Sequence, residues 1–158
     1  MIRFNKFGGA RKKLDPTNAK ALFESLDRQQ SHATLRPVQT EAMEVICGQR
    51  RGERDLVLKL STGGGKTTTG LIYLWSHAVE SKRPVVYLCP TTQLVQQVLA
   101  EARRLGIPAH HYEKGQSIPA VECTAGEAVL VCTYEKLFNA RSTFDRNDVN
   151  MRPVALVL

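Results

Sequence analysis

The sequence predicts an α/β fold in which a parallel sheet is covered by helices on both faces. Three observations lead there. Short apolar runs of strand length alternate along the chain with stretches of helical periodicity. Those runs are apolar at successive positions, as in strands buried on both faces. The chain has 158 residues, enough for one domain that folds without disulfide or metal staples.

The elements follow in order. Asp15-Pro16 reads as an N-cap and first helical residue, and Ala19, Leu22, Phe23 and Leu26 then share one helix face. Pro37 opens a second helix that buries Val38, Ala42, Val45 and Ile46, with Gly48 placed to close it. Leu56-Val57-Leu58-Lys59-Leu60 is an apolar run and a candidate buried strand. Ser61 to Gly65 must be a loop. A helix from Lys66 carries Leu71, Ile72, Trp75, Ala78 and Val79 on one side. Val85 to Cys89 is the next strand. Thr91 to Leu105 is the clearest helix, apolar at Leu94, Val95, Val98, Leu99, Ala102 and Leu105, with Gly106 at its C-cap and Pro108 beyond. Ala109 to Tyr112 forms a short strand, and residues 113 to 126 read as irregular. Ala128 to Cys132 is a strand, Tyr134 to Ala140 a short helix, residues 141 to 152 a polar connection, and Val154 to Leu158 a final strand.

Composition narrows the function classes. An apolar share of 42% and a charged share of 23% exclude global disorder, collagen-like repeats and coiled coil. No run approaches the ~20 apolar residues of a membrane span, and Met1 to Phe7 lacks the apolar core of a secretory signal. Cys47, Cys89, Cys123 and Cys132 are widely spaced, which suits buried thiols in a reducing cytoplasm. With His110 and His111 the cysteines match no zinc spacing. The net charge is +7. Arg3, Lys6, Arg11, Lys12 and Lys13 precede the first acid, an arm that either meets phosphates or frays in solvent.

The sharpest chemical signal is Thr62-Gly63-Gly64-Gly65-Lys66-Thr67-Thr68. Glycines let successive backbone N–H groups curl inward toward phosphate oxygens. The following helix adds its positive N-terminal pole. Lys66 then reaches the β- and γ-phosphates, and Thr67 offers a hydroxyl to Mg²⁺. The competing reading is a flexible glycine loop before Lys-Thr; the strand-like run before it and the amphipathic helix after it favour phosphate binding. The full G-x-x-x-x-G-K-[ST] pattern wants glycine at position 60, where this chain has Leu60.

At these residues the sequence resembles the first, RecA-like ATPase domain of superfamily 2 DEAD/DEAH-box-like helicases and translocases, whose loops often replace that first glycine. The resemblance extends over residues 35–158, leaving 1–34 as a basic arm and helix outside it. Leu35-Arg36-Pro37-Val38-Gln39 looks like the adenine-reading segment. By resemblance Gln39 would meet the adenine edge with Arg36 beside it, and an amide both donates and accepts there. Val85 to Gln97 looks like the next motif, whose turn touches a nucleic-acid backbone; Thr91, Thr92 and Gln93 are the candidates, although the arginine common in that turn is absent and Thr91 or Thr92 can equally be a helix cap. Val129 to Phe138 resembles a third segment, with Thr133 near the bound strand and Tyr134 either stacked on a base or packed.

The resemblance implies a P-loop NTPase (RecA-like) sheet, incomplete in this stretch, using ATP and Mg²⁺ and acting on DNA or RNA. In the family the strand corresponding to Val154–Leu158 delivers an Asp-Glu pair that serves Mg²⁺ and the attacking water. Asp145 and Asp148 precede that strand and do not substitute. The expectation is an N-terminal fragment of a longer helicase-like ATPase, completed by a second RecA-like domain, that binds nucleotide but does not hydrolyse it alone. The alternatives are another P-loop nucleotide-binding protein such as a small-molecule kinase, a restriction-type translocase subunit, and a non-enzymatic nucleic-acid-binding remnant.

Overall fold

The computed structural model describes residues 15–29, 34–113, 121–138 and 153–157. The basic arm, the polar connection with Asp145 and Asp148, and part of the irregular stretch lie outside them. Helices α1 (Ala19–Glu24) and α2 (Pro37–Met43) lead into a π-helical turn (Glu44–Gln49). They are followed by α3 (Lys66–Ser81), β1 (Val85–Cys89), α4 (Thr92–Leu105), β2 (Ala109–His111), α5 (Val121–Thr124), β3 (Val129–Thr133), α6 (Tyr134–Phe138) and β4 (Ala155–Val157). The described strands form one sheet in the order β2-β3-β1-β4. Every pairing is parallel, with Cys89 of β1 beside Thr133 of β3 and Val85 beside Ala155 of β4.

Side chains alternate across the sheet and fill a core on each side. Val85, Cys89, Val129, Val131 and Ala155 join the larger core with residues of α1, the π-helical turn, α3 and α4. Val86, Leu88, Leu130 and Cys132 point the other way, to Tyr112, Cys123 of α5 and the partly buried Tyr134 and Leu137 of α6. Burial on both faces is why β1 and β3 read as unbroken apolar runs. Tyr134 is packed in this second core.

α3 is the central helix. Leu71, Ile72, Leu74 and Ala78 are fully buried, and so is the hydroxyl-bearing Ser76. α4 is amphipathic, as its pattern predicts. The Thr91 side chain caps it by accepting from the Leu94 amide at 3.3 Å. Gly106 closes it at φ +71, where a Cβ would stand 2.3 Å from the Asp27 carbonyl oxygen, so only glycine fits. The Gln29 amide donates to the Arg104 carbonyl at 2.9 Å, tying the segment after α1 to the end of α4.

Four expectations are corrected. Residues 56–60 form no strand: no described strand pairs with them, and Val57 is 94% exposed. An apolar run becomes a strand only where a neighbouring ladder satisfies its backbone. Asn18, not Asp15, caps α1, its side chain accepting from the Ala21 amide at 3.0 Å. Asp15 instead accepts from the Thr17 amide and hydroxyl, and the hydroxyl bond is the main cause that lowers its carboxyl pKa. Gly48 closes nothing, because the backbone continues through it in the π-helical turn. The inward face of α2 is Gln39, Ala42 and Met43, continued by Ile46 and Cys47, while Val38 is exposed.

All four cysteines are buried and reduced. Burial pushes the Cys89 thiol from 9.0 to about 11, and Cys123 and Cys132 to about 12. Raised thiol pKa values favour the protonated native state. Their contribution is fully present below pH 9 and is lost as the pH climbs through 11 to 12. Alkylation by iodoacetamide at pH 8 should therefore be slow in the native chain and fast after denaturation. Native labelling at the denatured rate would contradict this packing.

Candidate functional site

The glycine loop ends at the N-terminus of α3, above the carboxyl edge of the sheet. The local sequence sets its shape. Gly63 and Gly65 adopt φ +78 and +80, the left-handed region that favours glycine. The Gly64 amide donates to the Ser61 carbonyl at 3.0 Å, closing a tight turn. Lys66 is exposed and folds back over the loop, its Nζ donating to the Leu60 carbonyl at 2.9 Å and the Ser61 carbonyl at 3.1 Å. The Lys66 ammonium is thus held by two backbone carbonyls that it can exchange for other acceptors. Thr67 is half-buried, and its side chain hydrogen-bonds Tyr87 of β1, whose phenol burial pushes up.

Gln39 is the tertiary partner of this loop. It is 6% exposed, so its amide faces the interior of the fold and not solvent. Its Oε1 accepts from the Arg36 amide at 2.9 Å. Its Nε2 lies against Gly65, where a Cβ would come within 1.9 Å of it. The Arg36 guanidinium donates to the Gly63 carbonyl at 2.5 Å. The start of α2 therefore holds the loop from one side through two side chains.

A cavity of about 280 Å³ opens beside this contact, lined by Phe23, Leu35, Arg36, Gln39, Gly65 and Thr68 among others. Glu101 of α4 is also in its wall, and the Thr68 hydroxyl donates to Glu101 Oε1 at 2.6 Å. Neither Phe23 nor Glu101 was marked by sequence reasoning. Phe23 carried only the signal of a core position on α1. Glu101 carried none, because its partner is far away in the chain.

The remaining candidates lie along the same edge of the sheet. Thr91, Thr92 and Gln93 follow β1 and are exposed. Thr133 ends β3 directly beside Cys89 and is half-buried. The structure thus brings Arg36, Gln39 and Gly63 to Thr68 together around the loop and cavity, with Thr62 exposed at the loop's start. It sets Thr91 to Gln93 and Thr133 at the ends of two adjacent strands. Capping of α4 occupies the Thr91 hydroxyl.

The residues present fit a nucleotide and its metal. The glycine turn and helix pole supply backbone N–H donors, and Lys66 supplies charge. The cavity of about 280 Å³ beside them is walled by both apolar and polar side chains. Thr67 offers one hydroxyl oxygen, enough for a Mg²⁺ ion that draws most of its ligands from phosphate and water.

Comparison with known proteins agrees with the architecture. Residues 36–157 match the family model for DEAD/DEAH box helicase. The chain is 26% identical over 135 residues to "Probable ATP-dependent RNA helicase DDX46" of Homo sapiens, and equally to those of Mus musculus and Rattus norvegicus. Each match covers 77% of this chain and 13% of the relative's length. No solved structure matches. With the matched segment containing the glycine loop, the all-parallel sheet and both strand-end turns, the chain belongs to the DEAD/DEAH box helicase family.

Proposed function

We propose that this chain is the nucleotide-binding part of an ATP-dependent helicase or translocase. In this reading the loop 61–67 takes the phosphates of ATP or ADP, and the cavity beside Gln39 takes the adenosine. Lys66 leaves the Leu60 and Ser61 carbonyls to meet the β- and γ-phosphates. Mg²⁺, held by Thr67 and phosphate oxygens, would neutralise charge on the phosphate tail. A nucleic-acid backbone would cross the edge formed by Thr91, Thr92, Gln93 and Thr133, where hydroxyls, an amide and the α4 N-terminus face a phosphate. The names of the relatives make RNA the first nucleic acid to try. Buried thiols suit a reducing, cytoplasm-like compartment. No helix among the described residues is long and apolar enough to cross a membrane.

The observation that carries the reading is the Gln39–Gly65 contact. It locks the adenine-reading segment against a glycine turn whose helix N-terminus faces the same cavity. Binding without turnover is the activity proposed for the chain alone. Glu101 is the one carboxylate among the described residues lining the cavity, and it is engaged by Thr68 and Arg104.

The nucleic-acid half is tested with a fluorescein-labelled single-stranded RNA, followed by anisotropy with and without Mg-ATP. Thr133→Glu and Gln93→Glu should each weaken binding about ten-fold by adding a charge beside phosphate. RNA binding that ignores both the substitutions and the nucleotide would favour a plain basic binder acting through the +7 charge.

A further inference from the structure

We propose that the outer edge of β2 and the groove between it and α4 form a docking site for an extended, acidic segment of a partner protein, which joins the sheet as a further strand. This groove shares no lining residue with the cavity beside the glycine loop.

β2 is an outer strand of the described sheet. Its ladder to β3 shows which backbone groups remain. The Val129 amide donates to the Pro108 carbonyl at 2.9 Å, and the Tyr112 amide to the Val131 carbonyl at 3.0 Å. Backbone groups alternate in direction along a strand, so Pro108, His110 and Tyr112 turn theirs toward β3. Ala109 and His111 turn their N–H and C=O groups outward, where no described strand pairs with them. A groove of about 470 Å³ lies beside that edge. Gln96, Leu99, Ala100 and Arg103 form its α4 wall, at i, i+3, i+4 and i+7 on one helix stripe. The buried face of α4 is Val95, Val98, Ala102 and Leu105. The stripe lies next to that face and overhangs the edge strand, so a strand added to β2 would run beneath it.

The chemistry selects the occupant. The outward C=O groups need donors, which a phosphodiester lacks, and the outward N–H groups need acceptors. An extended peptide supplies both in alternation. Leu99 and Ala100 are half-buried and give the groove an apolar floor. Arg103 is exposed, and among the described residues its guanidinium has no ion pair. α4 runs back between two parallel strands, which sets Arg103 toward the start of β2 and Gln96 toward its end. Near that far end His111 Nδ1 faces Glu113 Oε1 at 3.5 Å. The positive end of the groove is therefore at Arg103. Arg103 and Leu99 are about 6 Å apart along the helix axis, and side chains two apart on a strand are separated by about 6.6 Å. An acidic residue two positions from an apolar one thus meets both. A second copy of this chain is the poorer occupant, because it would bring one +7 charge against another.

The probes are two fluorescein-labelled heptapeptides, Ser-Glu-Ser-Leu-Ser-Val-Ser and its reverse, because a sheet edge accepts either strand direction. Anisotropy with the full chain should show saturable binding of at least one. Arg103→Glu in the chain, or Lys for Glu in the peptide, should each weaken binding about ten-fold, and the two together should recover most of the loss. Ala109→Pro removes an outward N–H without touching the ladder to β3. It should weaken binding about ten-fold with the thermal midpoint unchanged. Hydrogen exchange read residue by residue needs no variant. The Ala109 and His111 amides should exchange fast in the chain alone and slowly with peptide, while those of His110 and Tyr112 are slow in both. Slow exchange at Ala109 and His111 without peptide would mean that the edge is already covered, and would overturn the proposal. So would the absence of binding by both peptides, or binding indifferent to Arg103→Glu and Ala109→Pro. Single-stranded RNA that protects those two amides where the peptides do not would overturn it in favour of nucleic acid.

Discussion

Lys66→Ala should weaken Mg-ADP binding by about 100-fold while leaving the thermal midpoint nearly unchanged. The side chain is exposed, and its two bonds go to loop carbonyls that water can satisfy equally well. Its removal therefore takes little from the fold. In the ADP complex the same ammonium would make a charge-assisted bond to the β-phosphate, contributing roughly 1.5–3 kcal/mol. Equilibrium dialysis with radiolabelled ADP reads the affinity, and a melt monitored by circular dichroism reads the fold. Undiminished binding in a folded Lys66→Ala chain would end the phosphate reading.

Gly65→Ala should fail in both respects. Its φ of +80 disfavours any side chain, by roughly 1–2 kcal/mol. The added Cβ would also stand 1.9 Å from Gln39 Nε2 and 2.8 Å from its Cδ. Gln39 is buried and bonded to the Arg36 amide, so it has little room to yield. A total loss of about 2–4 kcal/mol is expected. Truncating the neighbour as well, in Gln39→Ala with Gly65→Ala, should recover the part due to the clash and keep the part due to φ. The two substitutions should then be non-additive in a urea-unfolding cycle. A Gly65→Ala chain of unchanged stability would mean that the loop is not braced by Gln39.

The two results separate what the loop does from what holds it. Lys66 faces outward and acts on a ligand. Gly65 faces inward and lets α2 and α3 approach. The family signature contains both residues side by side, and only their surroundings distinguish the roles.

Much of this molecule was legible from its residues. The α/β class, α3, α4, β1 and β3 follow from apolar patterns confined to each element, and the glycine loop follows from adjacent residues. The cap by Thr91 and the stop at Gly106 are equally local. Apart from the α1 cap and Gly48, which are local misreadings, the failures share one cause. Residues 56–60 have the composition of a strand, yet a strand exists only with a paired neighbour, and that neighbour is chosen by the whole sheet. The inward face of α2 is rotated toward Gln39 because Gly65 has no side chain to keep the amide out. Thr68 meets Glu101 across 33 positions of sequence, and Arg36 meets Gly63 across 27. The sequence alone determined the kind of loop, the helices and the direction of the sheet, since these depend on neighbours a few bonds away. The tertiary structure alone decided which side chains wall the cavity, because contacts between distant segments are set by packing that no local pattern encodes.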